Sequence, residues 1–393
     1  MTFRQSQYPK LWKVKKLGDV CEFRNGQAHE QYIVDEGKFI VVNSKFISSD
    51  GELYKNTDRS LSPLLVGDIA FVMSDVPNGK ALAKCFLVDK NDTYTLNQRI
   101  GAIRSTNFDI KYLYYQLNRN KYLLSFDNGE NQTNLRKNDI LNCPLVIPPL
   151  PEQQRIVAIL DKAFAAIAAA KENAEKNLKN AKELFESYLH GVFANRGDDW
   201  EEKRLGEVCE FKSGTTISPA LERSEGDVLY AKVGDMTLPE NLIEINTSSR
   251  FVNSNEIKIN QIIPEGAIIF PKRGGAIATN KKRKIIKPTI VDLNTMAIIP
   301  SKKIDKNFLF FWFQLIDLND ISNGTSIPQI NNYSFDKVYI PFPKSTQEQQ
   351  RIVLKFDELS SESKKLEAIY RQKLANLEEL KKSILQKAFN GEL

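Results

Sequence analysis

One seven-residue phrase occurs twice in this chain, and it constrains the fold more than any other feature. Pro151-Glu152-Gln153-Gln154-Arg155-Ile156-Val157 returns 196 residues on, changed only at its first residue, as Gln347-Glu348-Gln349-Gln350-Arg351-Ile352-Val353. Each copy opens about forty residues with no internal proline. Proline inside a helix removes a backbone hydrogen bond and clashes with the preceding turn, so both runs are open to continuous helix. A repeat of this length points to two copies of one structural plan.

The copies extend upstream. Trp12, Leu17-Gly18-Asp19-Val20-Cys21-Glu22-Phe23-Arg24 and Gly26 match Trp200, Leu205-Gly206-Glu207-Val208-Cys209-Glu210-Phe211-Lys212 and Gly214 at an offset of 188. The strand-like run Val66 to Val72 matches Pro264 to Phe270. Asp109 to Tyr115 and Asp305 to Phe311 read as short aromatic helices capped by their aspartates. Asn97-Gln98-Arg99 falls in register with Asn294-Thr295-Met296, and Asn128-Gly129 with Asn323-Gly324. Each copy then ends in proline-rich sequence, Ile147-Pro148-Pro149 and Ile340-Pro341-Phe342-Pro343. The extra residues of the second copy fall mostly between Gly214 and Gly266, in loops that absorb insertions. Short β-branched runs between Gly, Pro and Asn turns predict α+β units rather than a doubly wound sheet. The expected order is a unit at 1–150, a helix at 151–196, a second unit at 197–344 and a second helix at 345–393.

The first helix carries an apolar stripe, Ile156, Leu160, Ala163, Ile167, Ala170, Ala174, Leu178, Ala181, Phe185, Tyr188 and Val192, at the threes and fours of an amphipathic helix. Shifted by 196, it lands on Ile352, Phe356, Leu359, Ser363, Leu366, Tyr370, Leu374, Leu377, Lys381, Ile384 and Ala388. Ser363 and Lys381 depart from the pattern, and Leu380 is expected to take the turn of Lys381. Ser345 with Glu348 reads as a capping box. Such helices are about 60 Å long at 1.5 Å per residue. Two matched stripes most simply bury each other as an antiparallel coiled coil, with Ile156, Leu160, Ile167 and Leu178 facing Ile352, Phe356, Leu366 and Ile384. That arrangement would give the chain a pseudo-twofold repeat and hold two similar heads at a fixed separation. The rival is that each stripe docks on a separate partner protein.

Composition narrows the function. A net charge of +6 permits nucleic-acid binding without establishing it. Cys21, Cys85, Cys143 and Cys209 form no C-x-x-C pair, and His29 and His190 are the only histidines. Neither zinc nor disulfides are expected, and a reducing cytoplasm is the natural compartment. No run reads as a signal peptide or a membrane span. There is no phosphate loop, since Asn78-Gly79-Lys80-Ala81 lacks the first glycine, and no Asn-Pro-Pro-aromatic or Asp-Pro-Pro-Tyr tetrapeptide of an amino-methyltransferase. A Ser-His-Asp set has no histidine near a candidate elbow. Glu240 with Glu256-Ile257-Lys258 only loosely resembles a nuclease metal site.

The doubled E-Q-Q-R-I-V helices after proline-rich strands, with the L-G-[DE]-V-C-E-F openings and the Asn-Gly loops, resemble the specificity subunits of type I restriction-modification systems. The resemblance spans residues 10 to about 390. It implies two target recognition domains, each reading one half of an asymmetric bipartite sequence in double-stranded DNA. It further implies that the helices set the unread spacer and dock two methyltransferase subunits, which restriction subunits join. S-adenosylmethionine, ATP and Mg2+ are then expected on those partners and no catalytic group on this chain. A free-standing nuclease or methyltransferase and a protein-only scaffold are the competing classes.

DNA demands cations for phosphates and amides or arginines for base edges. The first unit offers Lys45, Asn78, Lys80, Asn97, Gln98, Arg99, Asn131, Arg136 and Lys137. The second offers Lys212, Lys232, Lys272, Arg273, Lys281, Lys282 and Arg283, the glycines after Arg273 allowing close backbone approach. The bland alternative for each is a solvated turn.

Overall fold

The computed structural model describes residues 8–77, 79–324 and 327–393. The chain forms two compact units, one of residues up to Ala174 together with Lys373–Leu393, the other of Glu175–Gln372. Both long helices, Leu150–Ala194 and Thr346–Asn390, contribute one end to each unit.

The first unit is built on an antiparallel sheet ordered Glu22–Asn25, Ile100–Arg104, Ile69–Val72, Cys85–Leu87. Strand residues alternate faces. Ile69 and Phe71 therefore join one apolar cluster with the helices, while Ala70 and Val72 join another beneath a smaller mixed sheet. Burial on both faces is why this strand reads as an unbroken apolar run. In the mixed sheet Phe39–Val42 runs parallel to Tyr94–Leu96. The second unit repeats the plan. Cys209–Ser213, Thr295–Pro300, Ile268–Pro271, Arg283–Ile285 and Glu244–Ile245 make the main sheet, and Val228–Ala231 runs parallel to Thr289–Val291 in the smaller one. Glu244–Ile245, the additional edge strand, comes from the insertion between Gly214 and Gly266. Short strands, antiparallel and mixed sheets and few helices are the expected α+β class.

Gly26 and Gly214 are equivalent for a steric reason. A Cβ there would lie 2.1 Å from Asn97 O and 1.9 Å from Asp292 O. Their N–H groups donate to Ile100 O (3.2 Å) and Thr295 O (2.9 Å). These contacts correct the expected register: Asn97 corresponds to Asp292, and Arg99 rather than Asn97 to Asn294.

Within each unit the helix ends pair antiparallel. In the first, Arg155 donates to Leu393 O (2.7 Å), Phe164 lies under Lys381 (5.1 Å) and Lys171 pairs with Glu378 (2.9 Å). In the second, Ser363 donates to Ala181 O, and Phe185 and Tyr188 meet Phe356 edge-on. Ile156, Leu160, Ile167 and Phe356 are buried, while Leu178, Ile352, Leu366 and Ile384 are half-buried. Two expectations change. Leu380 is exposed, and Lys381 keeps its own turn by laying its ammonium over Phe164. The first stripe ends on Leu189 and Phe193, more deeply buried than Tyr188 and Val192.

The aromatic helices Ile110–Leu117 and Lys306–Gln314 are capped by Asp109 and Asp305 as expected. Tyr112 packs edge-on against Phe389, and its counterpart Phe308 against Phe193, itself the counterpart of Phe389. Each unit is thus closed by the far end of the other copy's helix.

Candidate nucleic-acid interface

The structure builds one pair of loops the same way in both units. In the first, the chain leaving strand Ile69–Val72 runs beside the segment after Asn128-Gly129. Leu135 N–H donates to Met73 O (2.8 Å), and Thr133–Asn134 pairs with Ser74–Asp75. In the second, Ile330 N–H donates to Lys272 O (2.8 Å), and Arg273 pairs with Gln329. Gly129 and Gly324 sit at φ of 73° and 101°, a region open chiefly to glycine. That requirement explains both Asn-Gly pairs.

In the first unit the Asp75 carboxylate accepts from the N–H groups of Val76 (2.9 Å), Ala81 (2.7 Å) and Leu82 (3.0 Å). It folds the loop into a turn on which Lys80 is exposed; Asn78 lies outside the described residues. Asn131, Arg136 and Lys137 are exposed on the neighbouring segment, whose Gln132 donates to Ser74 Oγ (2.8 Å). In the second unit Arg273 is exposed at the loop entrance. Lys272 is half-buried with its Nζ on Ser213 Oγ (3.0 Å), its pKa lowered first by burial and then by Arg273. Lys281 is half-buried.

A second cluster lies in the first unit. Lys45 and Arg99, far apart in sequence, line one hollow of about 340 Å³ with Glu30, Asn43, Lys55 and Asn97. An adjoining hollow of about 200 Å³ shares Asn43, Lys45 and Lys55 and adds Glu52, Leu53 and Tyr54. Asn97 is buried, and its amide (3.3 Å) and that of exposed Gln98 (3.0 Å) both donate to Glu30 Oε1. Asn97 thus positions Glu30 at the wall of the hollow. Glu30, Tyr54 and Lys55 are additions of the fold; the exposed Leu53-Tyr54-Lys55 run was the one available signal, and nothing in the sequence marked Glu30.

Other basic candidates are engaged internally. Lys282 is 2% exposed, with Nζ donating to Ile316 O (2.5 Å) and lying over the Phe313 ring (5.2 Å). Burial pushes its pKa down to about 8. Arg283 is buried, donating to Lys282 O (2.9 Å) and Met236 O (3.0 Å). Both are corrected from phosphate ligands to interior groups, because a buried cation whose donors are seated on backbone carbonyls is not presented to a phosphate. Lys212 donates to Ile262 O (3.0 Å), and Lys232 pairs with Glu222 (3.0 Å) over Tyr230.

Burial raises the pKa of Cys21 to about 11 and of Cys143 and Cys209 to about 12, as structural thiols behave. His29 is buried between Gln27 O (2.7 Å) and Thr95 Oγ1 (3.0 Å). Glu256 of the nuclease-like fragment is held by Arg223 (2.5 Å). Among the described residues no three His, Cys, Asp or Glu side chains could hold a metal ion, and no helix is long and apolar enough to cross a membrane.

Comparison with known proteins places this geometry. The family described as "Type I restriction modification DNA specificity domain" matches residues 9–180 and again 197–376. The MjaVIII specificity subunit of Methanocaldococcus jannaschii is 24% identical, over 98% of this chain and 93% of its own. The EcoDI specificity subunit of Escherichia coli is 23% identical over 98% and 89%. The HsdS subunit of Thermoanaerobacter tengcongensis shares the fold, with a TM-score of 0.64 at 20% identity over 98% of both chains. A chain from a study of type I R-M complex assembly reaches 0.79, also at 20% identity, over 98% of this chain and 99% of its own.

Proposed function

The chain belongs to the type I restriction-modification specificity family, with two copies of its DNA specificity domain, and from that premise we propose that it is the DNA-reading subunit of such a complex and has no catalytic role of its own. Each unit reads one half of a bipartite asymmetric target. The long helices set the unread spacer and dock two methyltransferase subunits, through which restriction subunits join. S-adenosylmethionine, ATP and Mg2+ act on those partners, in the cytoplasm.

One observation carries the reading: both units present the same tied loop pair, but with different side chains. Ser74 and Asn134 in the first stand where Arg273 and Gln329 stand in the second. One scaffold bearing two sets of polar ends suits two different half-sites, since base edges are told apart by the donors and acceptors offered to them. The test is methylome sequencing of the host with and without this gene. One bipartite motif should vanish on deletion. An unchanged methylome, or loss of a single uninterrupted motif, would count against the proposal.

A further inference from the structure

We propose that Glu30 reads one base pair of the first half-site by accepting a hydrogen bond from the exocyclic amino group of cytosine or adenine, while Lys45, Lys55 and Arg99 meet adjacent phosphates. The inference rests on the DNA-reading role proposed above and assigns it to a site in the first unit.

Glu30, Lys45, Lys55 and Arg99 line one hollow, yet among the described residues no ion pair engages any of them. Three cations and a carboxylate are left for something else. The carboxylate is fixed: Asn97 and Gln98 both donate to its Oε1, and hydrogen bonds, first from its own backbone N–H and then from Gln98, hold its pKa below the usual range. Asn43 Oδ1 is spent on capping Phe46 N–H (2.9 Å), which turns its amide toward donation.

A ligand that satisfies this set must bring a hydrogen-bond donor and negative charge within one nucleotide's span. A base-pair edge beside its phosphates does so: cytosine N4 and adenine N6 donate in the major groove, and glutamate accepts from such groups. Guanine O6 or thymine O4 at that place would set lone pairs against the carboxylate. A surface built only for affinity gains nothing from a carboxylate among phosphates, whereas discrimination uses that repulsion. The exposed Leu53 and Tyr54 on the adjoining rim add an apolar wall against a neighbouring base.

The test uses the full chain expressed with its methyltransferase partner, read by methylome sequencing. Glu30→Gln should relax or reassign one base pair in one half of the motif, losing about tenfold or more in discrimination there. Lys45→Ala and Lys55→Ala should lower modification evenly at all sites with the motif unchanged. An unchanged motif for Glu30→Gln overturns the proposal, as does loss of all modification in a variant that melts and assembles like the wild-type chain. If Glu30→Gln melts early, Gln98→Ala replaces it: weaker discrimination at one base pair supports the proposal, and an unchanged motif overturns it. A wild-type chain that directs no bipartite motif would instead sink the DNA-reading role itself.

Discussion

Gln349 repeats both contacts that Gln153 makes and adds a third, its Nε2 also donating to Lys303 O (3.1 Å). Gln153 Oε1 accepts from Asp109 N–H (2.9 Å) while its Nε2 donates to Pro148 O (2.9 Å). Gln349 Oε1 accepts from Asp305 N–H (2.7 Å) while its Nε2 donates to Pro343 O (2.8 Å). Both are buried. One side chain thus pins three things together: the first turn of a long helix, the proline-rich strand before it, and the cap of the aromatic helix. Glu152 and Arg155, like Glu348 and Arg351, form a more exposed fork on the same turn. The duplicated phrase is therefore a joint, and its buried glutamine is the pin.

Truncating the pin should loosen one unit at a time. Gln153→Ala leaves a backbone N–H and a carbonyl buried without partners, at a cost of about 1–3 kcal/mol. Hydrogen exchange should quicken across Ile110–Leu117 and stay unchanged across Lys306–Gln314, with the converse for Gln349→Ala. Equal quickening in both helices would show that the joints are not local.

Gly26→Ala and Gly214→Ala should each be costly. The added methyl would meet a carbonyl oxygen at 2.1 or 1.9 Å, so the backbone must move. Losses of about 2 kcal/mol or more in chemical denaturation fit the range of overpacked sites. Values within about 0.5 kcal/mol of wild type would mean that the carbonyls of Asn97 and Asp292 yield freely.

Phe356→Ala should be the most damaging helix truncation. Phe356 is fully buried against Phe185, Tyr188, Phe193 and Phe311, and emptying such a site costs about 3–5 kcal/mol. Leu354→Ala, two residues away and 69% exposed, should stay within about 0.5 kcal/mol. Similar losses at both positions would contradict the antiparallel packing described for this unit.

Lys282 predicts a pH dependence. Its folded pKa is lowered from 10.5 to about 8, so between those values the unfolded chain binds more protons than the folded one. Stability from this group therefore rises with pH across that window. Lys282→Met removes the titration, and the wild-type stability minus that of the variant should increase from pH 7 to pH 10. A difference that does not change with pH would place the ammonium in water.

Periodic features were legible in the sequence, and tertiary ones were not. The matched stripes and the aspartate caps follow from local spacing, which a helix imposes whatever lies around it. Lys282 and Arg283 look in sequence like their half-buried neighbours Lys281 and Lys284, because only packing against Ile316 and Met236 decides their burial. The hollow around Glu30 joins residues from four separate segments, which no spacing rule connects. The register at Asn97 slipped because Asn294 resembles it chemically, while the close approach to Gly26 and Gly214 selects Asp292.

The central claim is that each unit reads its own half of the target. Residues 1–150 would be exchanged for the matching segment of a relative with a different target, and the hybrid expressed with its methyltransferase subunits for methylome sequencing. The account predicts a motif with one half replaced and the other half retained. A motif altered in both halves, or in neither, would contradict it.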